Sequence, residues 1–131
     1  MKTNELMIGD WVMLTDPINK GEKVQVTDIH EDGCISVKGG ITKRFRPIPL
    51  TEEILEKNGF HKDLMYFYLN IDDEKLLEFY THEKRLRLWF DGVDEWVKAT
   101  IKDLLFQCQC KYVHQLQHAL RLCNIEKEIE L

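Results

Sequence analysis

His114 and His118 stand four residues apart, a spacing that sets two side chains on one face of a helix and lets two imidazoles reach one metal ion. Two ligands do not make a site. The intervening Gln115, Leu116 and Gln117 are also not those of a His-Glu-x-x-His zinc helix. The sequence therefore predicts a solvated polar helix face carrying His114, Gln117, His118 and Arg121, with no metal and no cofactor. Lys43, Arg44 and Arg46 form the one compact basic run, and Lys20, Lys23 and Lys38 are available around it. Such an edge on a small β unit suits weak nucleic-acid binding, helped by stacking on a ring such as Trp11. Asp10, Asp28 and Asp32 dilute that field. Tyr66, Tyr68, Tyr80, Trp89 and Trp96 make an aromatic excess in the second part of the chain. A sheet face left uncovered there would suit a protein partner or a second copy of the chain.

Catalytic patterns are missing. The sequence holds no nucleophile elbow, no Walker loop and no Rossmann fingerprint, and Asp72-Asp73 and Asp91-x-x-Asp94-Glu95 fall where turns want acids. Cys108 and Cys110 would share one side of a strand, a spacing unlike the C-x-x-C of a redox or zinc motif. With Cys34 and Cys123 they read as reduced thiols of a cytoplasmic protein. Met1-Lys2-Thr3-Asn4-Glu5 is not followed by a secretory apolar run, and no stretch of apolar residues is long enough to span a bilayer.

The elements that must position these groups divide at about residue 50. Residues 11–14, 23–29, 34–37 and 41–46 alternate as short strands between glycine-bearing turns at 19–21, 31–33 and 39–40. Val24, Val26 and Asp28 fall on one side of the second strand, and Ile29 breaks the period, which predicts a bulge or a sharp bend there. In the last strand Ile41, Lys43 and Phe45 share a face. Four short strands leave two edges unless they close, so residues 1–50 are expected to form a small SH3-like β-barrel. Thr51 then caps a helix of barely two turns, with Glu52 and Glu53 at its positive end, Leu50 as an apolar staple and Asn58-Gly59 as its stop.

Residues 51–131 are expected to continue with strands at 64–69, 76–80, 85–90, 96–101 and 105–110, and Asp91-Gly92 reads as a hairpin turn. Leu86, Leu88 and Phe90 would point inward, and Arg85 and Arg87 outward. Residues 111–123 form one long helix with Tyr112, Leu116, Ala119, Leu120 and Cys123 as its apolar stripe and Asn124 as its cap. The tail, through Ile125, Ile129 and Leu131, is expected to add a short strand. The predicted class is α+β: the small barrel, then an antiparallel meander backed by the long helix.

Three stretches carry a resemblance. Glu5-Leu6-Met7-Ile8-Gly9-Asp10 with Trp11-Val12, then Pro47-Ile48-Pro49-Leu50-Thr51-Glu52-Glu53 running through Leu55 to Gly59-Phe60, and finally Lys111-Tyr112-Val113-His114-Gln115-Leu116-Gln117 resemble a family of small uncharacterised proteins of gut Bacteroidetes genomes and their prophages. The resemblance implies a phage or mobile-element context rather than a mechanism, and it draws attention to His114, Gln115 and Gln117. The family continues its last block with Asn, Leu and Tyr where this chain has His118-Ala119-Leu120, which leaves His118 outside the pattern.

Length and charge limit the functions further. The 131 residues carry a net charge of -5, and the first 50 are neutral while the remainder holds the whole deficit, which argues against a general nucleic-acid binder. The reading is a non-enzymatic interaction or adaptor module that binds protein, with weak nucleic-acid binding through Lys43, Arg44 and Arg46 as the alternative.

Overall fold

The structure, a computed structural model, describes residues 3–131. The described residues form two compact units, one of residues 3–49 with 112–118 and the other of residues 50–111 with 119–131. Both are built on antiparallel sheets, and the class is α+β.

The first unit contains β1 (Trp11–Leu14), β2 (Lys23–Ile29), β3 (Ile35–Val37), β4 (Gly40–Thr42) and β5 (Phe45–Pro47), in the order β4-β3-β2-β1-β5. Strand alternation sends Val12, Leu14, Val24, Val26, Ile35 and Val37 into one core with Leu6. Val26 and Ile35 are sealed from water, and each such side chain contributes roughly 1.5–3 kcal/mol by burial. Gly33 and Gly39 adopt φ of 89° and 104°, left-handed values that a β-carbon resists, and so allow the tight turns flanking β3.

Two expectations change here. The β2–β3 register slips between Val26 and Asp28, the irregularity expected near Ile29, and it sends Asp28 to water rather than to the side of Val24 and Val26, while Ile29 packs against the core. The single strand expected over 41–46 is two strands. The chain bends at Lys43 and Arg44, where the Thr42 hydroxyl accepts the Arg44 N–H at 3.0 Å, and Ile41 consequently lies exposed. β4 pairs with β3, and β5 pairs with β1. No closed barrel is found among the described residues, because these three-residue strands end the sheet on opposite sides.

The second unit opens with α1 (Glu52–Lys57). Thr51 caps it by accepting the Ile54 N–H at 3.3 Å, and Leu50 and Leu55 are buried as a staple requires. Asn58 ends the helix, and its side chain holds the tail: Nδ2 donates to the Glu130 carbonyl and Oδ1 accepts the Glu130 N–H, each at 2.8 Å. The tail is tied down in this way with Ile129 buried, but it forms no strand.

The sheet is a meander of β6 (His61–Asp63), β7 (Tyr66–Asn70), β8 (Lys75–Tyr80), β9 (Arg85–Asp94) and β10 (Ala99–Gln109), in the order β10-β9-β8-β7-β6. The strand expected over 64–69 is interrupted, since Leu64 and Met65 form an exposed turn with Leu64 at φ 51°. Asp91-Gly92 is not a turn either. β9 runs through it, the Phe90 ring folding over Gly92 so closely that a β-carbon there would lie 2.9 Å from the ring. The reversal comes later, where the Asp94 carboxylate accepts the N–H groups of Trp96 and Val97 at 2.8 and 3.1 Å. Trp96 is therefore at a hairpin tip, and the two strands expected over 96–101 and 105–110 merge into β10.

α2 (Val113–Leu122) is shorter at both ends than expected. Its start is a half capping box, with Gln115 Oε1 accepting the Tyr112 N–H at 3.2 Å. Asn124, at φ 57°, closes its end.

Candidate functional site

Cross-strand register places the aromatic residues of the second sheet. Tyr66, Tyr80 and Arg85 lie in one row, Tyr68, Glu78 and Arg87 in the next, and Leu76, Trp89 and Leu104 in a third, all on one face. The opposite face carries Phe67, Phe79 and Leu86, then Leu77 and Leu88, all buried. The aromatic face is half-buried. Its rings follow one another from His61 to Tyr68 (5.4 Å between centroids), Tyr68 to Tyr66 (6.4 Å) and Tyr66 to Tyr80 (5.7 Å).

Charges are threaded through these rings. Arg87 sits 4.9 Å from the Tyr80 ring centroid and Lys102 sits 4.7 Å from that of Trp89. Glu83 lies 3.9 Å from Arg85 and 3.8 Å from Arg87. At the centre is Glu78, only 4% exposed, which accepts the Tyr80 hydroxyl at 3.4 Å and lies 3.6 Å from Lys102 Nζ. The Asp63 carboxylate, accepting the Tyr66 hydroxyl at 3.0 Å, pushes that phenol above its ordinary range, and desolvation adds to the effect. Of the four buried side-chain polar atoms without a hydrogen-bond partner among the described residues, three lie here: Glu78 Oε1, Arg85 Nε and Trp89 Nε1.

Trp96 belongs to the hairpin tip. It is 97% exposed, and Val93, Val97, Leu104 and Leu105 on the same hairpin are exposed as well. The open edge of β10 is blunted by a bulge between Leu104 and Phe106 and by Lys102 and Asp103.

In the first unit the residues from Tyr112 to His118 meet the entry of β1. Gln117 Oε1 accepts the Trp11 N–H at 2.9 Å, and its Nε2 donates to the Gly9 carbonyl at 2.9 Å. His118 Nε2 lies 2.6 Å from Oδ2 of Asp10, a carboxylate wholly enclosed by protein that also accepts the Met7 N–H at 2.8 Å. His114 is 4% exposed and edge-on to His118 at 5.5 Å. The expected solvated face is thus corrected: His114 and Gln117 are buried, Gln117 because it bonds to the entry of β1 and His114 because its ring packs against those of Tyr112 and His118. His118, which the resemblance left aside, is the one that binds a carboxylate.

Lys43, Arg44 and Arg46 are all exposed, Lys43 and Arg44 at the bend and Arg46 on β5. Lys43 helps to hold the Asp32 carboxyl below its usual range, after the hydrogen bonds from Cys34. Arg44 shares the wall of a hollow of about 530 Å³ with Lys38, Asp16 and Glu22. Lys43 and Arg44 therefore lie beside acids. The cysteines are free, and burial raises the thiols of Cys108, Cys110 and Cys123, which keeps them protonated and poor nucleophiles. Among the described residues no group of three or more His, Cys, Asp or Glu could hold a metal ion, and no helix is long and apolar enough to cross a membrane.

Sequence reasoning missed Asp10 and Glu78. Glu78 had a readable signal, a lone acid inside the apolar run Leu76-Leu77-Glu78-Phe79-Tyr80. Asp10 had none, since its partner is 108 positions away. No family model, no curated protein and no solved structure matches this chain.

Proposed function

We propose that the chain is a non-enzymatic interaction module that binds a protein partner through the β9–β10 hairpin and the aromatic face beside it. Trp96 carries this reading. A tryptophan almost wholly in water, among four further exposed apolar side chains, gives up little packing within the chain on docking and gains a large apolar contact. The charge-threaded rings of Tyr66, Tyr68, Tyr80 and Trp89 supply a polar rim of the kind that interfaces use. The strand order β4-β3-β2-β1-β5 supports reading the first unit as an SH3-like barrel left open. Four free thiols suit a reducing, cytoplasmic setting.

A photo-crosslinking side chain placed at Trp96 tests the reading in cells. A discrete protein adduct is expected from that position and none from Ile18, an equally exposed apolar residue of the first unit. Equal labelling from both positions, with the purified chain monomeric by light scattering, would overturn it.

A further inference from the structure

Around Asp10 two imidazoles and one carboxylate meet with unequal hydrogen-bond supply. Asp10 Oδ2 is engaged by Met7 and His118, and Gln117 holds both Gly9 and Trp11. His114, one turn earlier on α2, stacks on Tyr112 at 5.8 Å, and its Nδ1 is buried without a hydrogen-bond partner. The ring faces Asp10 and Glu5, which favour a proton on it, and His118, which opposes one. Burial, acting in the same direction as His118, outweighs the two acids and holds the imidazole below its ordinary range.

We propose that His114 is an acid-triggered release point for the clamp joining the first turns of α2 to the entry of β1. The site fits a neutral ring. A proton on Nδ1 creates a buried N–H with nothing in place to accept it, together with a charge beside the His118 ring. Opening the clamp lets water solvate both. The closed state binds fewer protons than the open one, because its imidazole titrates below the value it has in water. Closure is therefore unimpaired above about pH 6.5, weakens as pH falls through that value, and reaches its full loss below the depressed pKa of the closed state.

The Trp11 amide, donated to Gln117, reports the clamp directly. Its hydrogen-exchange protection, corrected for intrinsic chemistry, is measured on the full chain beside a nitrogen-15 titration of the imidazoles. Between about pH 7.5 and about pH 5 protection is expected to fall roughly tenfold for each unit of pKa depression, tracking His114, while Leu77 and Phe79 amides hold. His114→Leu keeps an apolar side chain against Tyr112 and removes both ring nitrogens, so protection should stay high throughout the range. Undiminished Trp11 protection while His114 titrates would overturn the proposal. So would an unchanged pH response in His114→Leu, which would assign the trigger to His118. If that variant does not fold, the wild-type midpoint decides: coincidence with His114 supports the proposal, and any other midpoint ends it.

Discussion

Asp10 in the first unit and Glu78 in the second are both carboxylates nearly sealed from water, each beside a side chain able to carry positive charge. Their supply differs. Asp10 accepts a backbone N–H and an imidazole at 2.6–2.8 Å, at the point where Gln117 makes two further bonds. Glu78 has one long bond from Tyr80, and its other oxygen is 3.6 Å from a half-exposed ammonium that also lies over Trp89. A well-supplied buried carboxylate marks a structural joint. One with spare bonding capacity, among half-exposed rings, marks a surface shaped by something other than stability.

Three substitutions can break or sharpen that contrast. The largest effect is expected from Asp10→Ala, which strands the Met7 N–H and His118 and should cost about 3 kcal/mol in urea unfolding. A loss under about 1 kcal/mol would remove the distinction between the two acids. Glu78→Gln keeps the shape while discharging a poorly paired group, and should change stability by no more than about 1 kcal/mol in either direction. A loss equal to that of Asp10→Ala would make Glu78 a joint as well. Trp96→Ser should leave the unfolding free energy within about 0.5 kcal/mol of the parent while abolishing any adduct formed from a photo-crosslinking side chain placed at the exposed Val97 beside it. Substantial destabilisation there would mean that the ring serves the fold rather than a partner.

Most strands were legible because alternation is written locally: Val24 with Val26, Ile35 with Val37, Leu86 with Leu88. The cap at Thr51 and the stop at Asn58-Gly59 were legible for the same reason, since each involves neighbours within one turn. Turn placement was less so. Asp91-Gly92 carries strong turn chemistry, yet Phe90 needed Gly92 as a floor, and the Asp94 carboxylate organised the reversal further on. The aromatic face was half legible. The residue types announced it, but which rings lie together depended on register, and Trp96 went to the tip.

By itself the sequence determined the α+β class, the core-facing side of most strands and the excess of aromatic side chains. Each follows from periodicity or composition, which act over a few residues. Only the tertiary structure decided that His114 and Gln117 leave water, that Asp10 meets His118 and that Glu78 lies beneath Tyr80 and Lys102. Burial and pairing of polar groups depend on what arrives from a distant part of the chain, and no local pattern encodes that arrival.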